Sequence, residues 1–431
     1  MVAPIELRLA PAAKCNSAFG TLESGDSSVR FRGITSYVNS TSVYVNIAPA
    51  TPQCKKDFLH TRNPQSSFIP AMPPTPLSTV EAILATADIH PEFAAALEKI
   101  PIPPGSSWTL ESLKDISSYT LPYLQKRIAE SRPKDISESE HCITLRDGYR
   151  SRLLVCRKSN LSNQPCPIIV LFHGGGHTVG SPETEIPLAR RLVQSHNAIV
   201  VCPCYRLAPE EPFPASTNDS WDTLRWVAAE SQNAQSVILP NADAAAGFIV
   251  GGASAGANLA ASLAHLARDN DLTPPLTGQF LSAGTFISPY HVPEKYAPSF
   301  LSREQNEMAP LLDKDLYAIF QDAFKPDFKS PLWAIFDQHD PRDARGEVKM
   351  GHMDLPPAYF QVCGMDISRD DSLIYEKVLR EECKIATRTD LYEGFGHCWW
   401  NMFTEIKMSQ KRMVDSVEGV GWLLDLTKKG L

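Results

Sequence analysis

The chain has 431 residues, 43% of them hydrophobic and 21% charged, and a formal net charge of −8 at pH 7. This length can bury a large core, either as one α/β domain with insertions or as two smaller domains. The charges are interspersed without a basic block, which argues against nucleic acid as a partner. No apolar run approaches the length of a membrane span, so we expect no membrane-spanning segment.

Ten cysteines are scattered from Cys15 to Cys398, several of them inside apolar runs such as 200–204. Their spacing lacks the close pairs of a zinc site, and a disulfide framework is unusual in a chain this long. Residues 1–20 lack the continuous apolar core of a secretion signal. We therefore expect a cytoplasmic protein with free, buried thiols and no bound metal.

Residues 1–78 are rich in Pro, Ser, Thr and Asn, with one short β-like run at 37–47. This composition predicts a poorly ordered N-terminal extension. From residue 79 onward the pattern turns helical, with one helix restarting at Pro91 and another predicted over about 110–131. Helices that precede the first strand and carry no chemistry of their own are typical of a lid or a packing element.

Strand signals begin at 143–145 and return through 153–156 after an Asp-Gly turn, which predicts a hairpin. The apolar run 167–172 then predicts a buried strand, which ends at His173 and three consecutive glycines, 174–176. Glycines in this position can aim several backbone N–H groups at one point, as an oxyanion hole requires. A flexible turn and a phosphate-binding loop are the alternatives, and the Gly-Lys-Ser/Thr ending of the latter is missing.

Strands and helices then alternate, which predicts a largely parallel sheet with helices on both faces. An insertion at about 290–345, rich in proline and charge, interrupts the alternation and lies over the carboxyl edge of the sheet. The predicted elements are helix 183–196, strand 198–203, helix 217–229, strand 248–251, helix 255–268, strand 278–287, helix 313–324, strand 358–363, helix 370–382, strand 387–392 and helix 417–428.

The stretch 248–261 carries the strongest chemical signal. An apolar β-like run leads into the sequence Gly-Ala-Ser-Ala-Gly at 252–256 and then into an alanine-rich helix. A strand, a Gly-x-Ser-x-Gly turn and a helix together are typical of a nucleophile elbow, which makes Ser254 the candidate nucleophile. The small flanking residues are needed because larger side chains would collide with the adjoining strand and helix.

A serine nucleophile needs a base, and the base needs a carboxylate that orients it. Asp366 follows the predicted strand 358–363, and His397 follows the last predicted strand, so the order is Ser, Asp, His. Asp370 and Asp371 are alternative acids. The alternative bases are His291, His339 and His352, whereas His177 precedes the serine and fits a pocket lining instead.

These motifs together resemble the hormone-sensitive-lipase-like branch of the α/β-hydrolase superfamily. The resemblance covers about residues 80–425. It implies an α/β-hydrolase fold over 79–431, with a helical cap built from about 79–135 and 290–345. The matching segments are 173–176 (HGGG), 205–210 (YRLAPE), 212–215 (PFPA), 252–260 (GASAGANLA), and Asp366 with Arg369 and Asp370.

The resemblance implies hydrolysis of carboxylic esters without a cofactor. His397, held by Asp366, would take the proton of Ser254. The resulting oxyanion would be stabilised by the backbone N–H groups of Gly174, Gly175 and Ala255. Apolar residues in the insertion favour a small to medium apolar ester as substrate: Phe300, Leu311, Leu312, Phe320, Phe324, Leu332, Trp333 and Phe336.

Two other readings stay open. The same groups can perform acyl transfer, lactone opening or elimination on a specialised metabolite, and a small-molecule receptor can be built on a hydrolase scaffold. Homodimers are common among similar proteins, and a homodimer is therefore possible. Three departures from the family pattern bear on the shape of the acyl pocket: Ala253 where many members have Asp, His177 in place of an aromatic residue, and Cys398 with Trp399 where Gly-Phe is common.

Overall fold

The structure is a computed structural model that describes residues 79–160, 164–336 and 351–430. The predicted N-terminal extension, 1–78, lies outside the described residues, and so does the part of the insertion from 337 to 345. The described residues form one eight-stranded sheet. Its strands are β1 Ile136–Thr144, β2 Arg150–Lys158, β3 Ile168–Phe172, β4 Ile199–Pro203, β5 Phe248–Ala253, β6 Gly278–Ser282, β7 Ala358–Met365 and β8 Thr387–Gly396.

The sheet is mostly parallel, as the alternating pattern predicted. Its strand order is β1-β2-β4-β3-β5-β6-β7-β8, and only the β1–β2 and β2–β4 pairs are antiparallel. The chain reverses direction along the sheet between β4 and β5, so β3 and β5 are neighbours. Ligands of such sheets bind beyond the carboxyl ends of the strands near this reversal.

Helices cover both faces of the sheet. The α-helices are α1 Val80–Ala85, α2 Pro91–Lys99, α3 Leu110–Glu130, α4 Ile186–His196, α5 Ala215–Ser231, α6 Ala255–Asp269, α7 Ser302–Gln305, α8 Lys314–Phe324, α9 Arg369–Lys377 and α10 Lys407–Lys428. Apolar side chains of α5, α6 and α9 pack on one face, and those of α4 and α10 pack on the other. Because β3, β4 and β5 are buried on both faces, their sequences are continuous apolar runs.

Several predicted boundaries are wrong. The first strand begins at Ile136 instead of 143, and the last strand ends at Gly396 instead of 392. Strand 278–287 ends at Ser282, because Ala283 adopts a left-handed backbone conformation with φ of 48°. The final helix begins at Lys407 instead of 417, because the Glu92 side chain accepts the N–H groups of Lys407 and Met408 and caps the helix from another part of the chain. Helix 370–382 is an α-helix only over 369–377 and continues as a π-helical turn over 378–382.

The segment that precedes β1 and the insertion that follows β6 are in contact. Asp313, at the start of α8, accepts the N–H of Gly105 at 2.6 Å and also caps its own helix through the N–H of Leu316. One buried carboxylate therefore joins the segment before β1 to the segment after β6.

The cysteines of the described segments are free thiols, four of them buried: Cys156, Cys166, Cys202 and Cys363. Cys142 is exposed, so burial is not general among them. No helix within the described residues is long and apolar enough to cross a membrane. Those residues also contain no group of three or more His, Cys, Asp or Glu side chains placed to hold a metal ion.

Candidate active site

Ser254 occupies a sharp turn between β5 and α6. Its backbone has φ of 56° and ψ of −120°, a combination that residues other than glycine rarely adopt. The turn is held because the Ser254 N–H donates to the Ser282 carbonyl oxygen at 2.8 Å. A Cβ atom at Gly252 or Gly256 would overlap the carbonyl oxygen of Phe172, so both glycines are required for the close approach of β3.

His397 connects Ser254 to Asp366. Its Nε2 atom lies 2.8 Å from Ser254 Oγ, and its Nδ1 atom lies 2.6 Å from Asp366 Oδ2. The three side chains come from the ends of β5, β7 and β8, which lie at one edge of the sheet because these strands run parallel. The sequence prediction placed Ser254, Asp366 and His397 on these loops, and the structure brings them together.

The buried carboxylate of Asp366 shifts the pKa of His397. Asp366 is 1% exposed, and its second carboxylate oxygen accepts the N–H of Ser368 at 2.8 Å. Burial lowers the pKa of His397, but the negative charge of Asp366, the neighbouring Cys398 and the hydrogen bond to Asp366 together outweigh this effect and leave that pKa well above its usual value. A carboxylate in this position favours the imidazolium that forms when the imidazole takes a proton.

The alternative acids have other partners. Asp370 pairs with Arg369 and accepts the N–H groups of Leu301 and Ser302, each at 2.6 Å. Asp371 accepts the N–H groups of Phe286 and Ile287 and pairs with Arg303. Both carboxylates therefore fasten the segments that follow β6, and neither is the acid that contacts His397.

The alternative bases are also occupied elsewhere. His352 pairs with His265 of α6, with 3.0 Å between the two ring nitrogens, and His291 lies 3.4 Å from Ser288 Oγ. His339 lies outside the described residues. Among the histidines that the structure describes, only His397 forms a hydrogen bond with Ser254.

The glycine turn after β3 lies beside Ser254. A Cβ at Gly174 would be 3.2 Å from the Cβ of Ser254. Gly175 and Gly176 have φ of 112° and 59°, which only glycine adopts readily. Ala255 is the first residue of α6, so its N–H has no acceptor within the helix. These positions leave the turn and the helix start close to the same serine.

His177 does not have the exposure expected of a pocket lining. It is 4% exposed, stacks on Phe324 of α8 with 4.0 Å between ring centroids, and lies 3.0 Å from Ser216 Oγ. Burial lowers its pKa to about 3. The neutral ring therefore packs the glycine turn against α8, and Phe320 of the same helix lies directly against Gly176.

Sequence reasoning missed Asn306, which contacts the loop that carries Asp366. The Asn306 Nδ2 atom donates to the carbonyl oxygens of Asp366 at 2.8 Å and Gly364 at 3.2 Å. Its partners are backbone atoms about 60 residues away, so no local pattern marks the residue.

A family model described as the alpha/beta hydrolase fold matches residues 169–401, more than half of the chain. The chain belongs to the alpha/beta hydrolase family. An AB hydrolase superfamily protein of Schizosaccharomyces pombe is 32% identical to this hydrolase over 308 residues, which are 71% of this chain and 86% of that protein. The carboxylesterase NlhH of Mycobacterium tuberculosis is 36% identical over 219 residues, 49% of this chain and 60% of NlhH.

The hydrolase also resembles solved structures over most of its length. A crystal structure of vibralactone cyclase covers 80% of this chain and 97% of its own, with a TM-score of 0.70 and 28% sequence identity. Several esterases are among the other structural neighbours. The expected likeness to the hormone-sensitive-lipase-like carboxylesterases is thus confirmed, and the chain is a carboxylesterase-like hydrolase.

Proposed function

We propose that this hydrolase cleaves carboxylic esters through a triad of Ser254, His397 and Asp366. The observation that supports the proposal most directly is the position of His397, which contacts Ser254 Oγ and Asp366 Oδ2 with its two ring nitrogens. A histidine that donates from Nδ1 to a carboxylate presents a free lone pair at Nε2, which is the atom that accepts the serine proton.

The reaction has two halves. Ser254 Oγ loses its proton to His397 and attacks the ester carbonyl carbon, and the protonated His397 then donates that proton to the departing alcohol. Water then loses a proton to His397 and attacks the acyl carbon, and His397 returns that proton to Ser254 Oγ as the acid is released. The N–H groups of Gly174, Gly175 and Ala255 stabilise the oxyanion of both tetrahedral intermediates, each by about 3 kcal/mol.

A small to medium apolar ester is the proposed substrate. Five of the eight apolar residues that the sequence assigned to the insertion are half-buried, and Leu312, Phe324 and Trp333 are buried in the core instead. Phe320 lies against the glycine turn. We propose that the helices of 79–135 and the described part of the insertion form one cap, joined through Asp313, over this side of the site.

We also propose a cytoplasmic location, in keeping with the free thiols of the described segments.

The test is hydrolysis of p-nitrophenyl esters with acyl chains of increasing length, for the wild type and for Ser254→Ala. We expect the variant to lose several orders of magnitude in kcat. Ser262→Ala is the matched control, because Ser262 lies on the same helix and its buried hydroxyl has no partner among the described residues. Undiminished hydrolysis by Ser254→Ala would refute the proposal.

A second candidate reaction is intramolecular acyl transfer. It is favoured by the likeness to a protein described as a cyclase. In this case a hydroxyl of the substrate's own acyl chain replaces water. It loses its proton to His397 and attacks the acyl carbon, and His397 returns the proton to Ser254 Oγ as the lactone closes. Mass spectrometry distinguishes the two reactions, because hydrolysis adds one water to the released acyl group and cyclisation adds none.

A further inference from the structure

The loop that follows β7 and carries Asp366 is held by two segments that lie far from it in sequence. Gly364 packs against the end of α1, where a Cβ would overlap the carbonyl oxygen of Thr86. The second segment is the turn after α7, where Asn306 donates both of its Nδ2 contacts to this loop. The position of Asp366 therefore depends on residues outside its own strand and helix.

Asn306 is itself held rigidly. It is 4% exposed, its backbone N–H donates to the Ser302 carbonyl oxygen at 2.9 Å, and its own carbonyl oxygen accepts the N–H of Ala309 at 2.9 Å. Ser302 adds a second connection, because its Oγ donates to the carbonyl oxygen of Ile367 at 2.9 Å. The turn and the loop thus form one buried, hydrogen-bonded unit.

We propose that Asn306 is a positioning residue for Asp366, and that through it the insertion controls the orientation of His397. This inference rests on the proposed function, since it takes Asp366 as the acid that orients the base. Within the described segments, the hydrogen bonds of the Asn306 side chain reach only the carbonyl oxygens of Gly364 and Asp366.

The contact between Asp366 and His397, which depends on the position of this loop, is short and buried. The Asp366 carboxylate lies 2.6 Å from His397 Nδ1 and accepts the Ser368 N–H at 2.8 Å. A shift of a few tenths of an ångström at the Asp366 backbone lengthens the contact to His397 and turns the imidazole away from Ser254. Misplacement of this size affects the chemical step more than substrate binding.

Asn306→Leu tests the inference because it preserves the size of the side chain and removes both donors. We expect kcat to fall by about 10-fold or more, with KM changed by less than about twofold. The acid limb of the kcat/KM profile should move to lower pH, because a weaker contact with Asp366 raises the pKa of His397 less. Asn306→Ser, which keeps a shorter donor, should give intermediate values of both and serves if Asn306→Leu does not fold.

Asn270→Leu is the matched control. Asn270 Nδ2 donates to the Leu266 carbonyl oxygen at 2.8 Å at the far end of α6. The Asn270→Leu variant loses one side-chain to backbone hydrogen bond of the same kind. Because this bond does not involve the loop that carries Asp366, the variant should keep the wild-type kcat and pH profile.

A double-variant comparison separates positioning from general support of the fold. If Asn306 acts through the Asp366 carboxylate, then Asn306→Leu in an Asp366→Asn background should cost almost no further kcat. Losses in kcat that multiply in the double variant would overturn the inference. So would an Asn306→Leu variant whose acid limb does not move, or whose kcat stays within about twofold of the wild type. Failure of the proposed function is a different result, namely undiminished hydrolysis by Ser254→Ala.

Discussion

Replacing Asp366 with Asn removes the charge of the acid and almost nothing of its shape. In the wild type, Oδ2 faces His397 Nδ1 and Oδ1 accepts the N–H of Ser368. If the amide keeps its oxygen on Ser368, its NH2 group faces His397. The imidazole must then accept at Nδ1 and carry its proton at Nε2, where Ser254 Oγ needs an acceptor.

The expected loss in kcat is about 10⁴-fold, the size found where a triad histidine is forced into the wrong tautomer. This loss corresponds to about 5 kcal/mol of barrier. The direction in which the pH profile shifts gives an independent test. The charge of Asp366 raises the pKa of His397 and burial lowers it, so without the charge the pKa falls. Because the neutral imidazole is the base, the acid limb of kcat/KM moves to lower pH.

The assay is the pH dependence of p-nitrophenyl butyrate hydrolysis by the wild type and Asp366→Asn. Asp222→Asn is the control. Asp222 is a mostly buried carboxylate of α5 that pairs with Arg146, and its replacement should leave both kcat and the acid limb unchanged. A variant of Asp366 that retains more than about one hundredth of wild-type kcat, or whose acid limb stays in place, would refute the assignment of Asp366.

Three further predictions concern stability. Gly256→Ala should lower stability by about 2 kcal/mol, because the added methyl group overlaps the Phe172 carbonyl oxygen. Glu92→Ala should cost about 1 kcal/mol, because it removes the cap of α10. Burial lowers the pKa of His265 to about 4, below its unfolded value of about 6.5. The stability that depends on neutral His265 is therefore present above pH 6.5 and lost as the pH falls through 4, so His265→Gln should reduce the acid sensitivity of the melting temperature.

Melting temperatures check all three. Gly148→Ala is the control for Gly256→Ala, because a Cβ at Gly148 meets open space and only its φ of 86° opposes the change. An equal loss in the two variants would contradict the overlap with Phe172. Unchanged melting of Glu92→Ala would contradict the capping role, and a His265→Gln protein as acid-sensitive as the wild type would contradict the titration.

The turn around Ser254 was predictable because its determinants are local. A β-branched run ending in small residues and continuing into alanines specifies strand, turn and helix without help from the rest of the chain. The positions of the loops that carry Asp366 and His397 could be predicted from the parallel sheet, because the carboxyl ends of its strands lie at the same edge. The sheet topology alone did not separate Asp366 from Asp370 and Asp371, because all three come within a few residues of β7 and their partners lie on other segments. The prediction of Asp366 depended also on the resemblance to the family.

The wrong boundaries have the same origin in long-range contacts. The apolar residues after Ser282 are buried as expected, but Phe286 and Ile287 donate their N–H groups to Asp371 instead of a neighbouring strand. The first turns of α10 depend on Glu92, 315 residues before the helix start. The anchoring of the acid loop by Asn306 likewise requires the fold before it can be recognised.

The most direct test of the central claim is the intact mass of the protein after incubation with a fluorophosphonate, for the wild type beside Ser254→Ala. A fluorophosphonate phosphonylates an activated serine and releases fluoride. The proposed triad predicts one adduct per wild-type chain and none on the Ser254→Ala chain. Folded wild-type protein without an adduct, or an adduct that persists in the variant, would contradict the claim that Ser254 is the activated nucleophile.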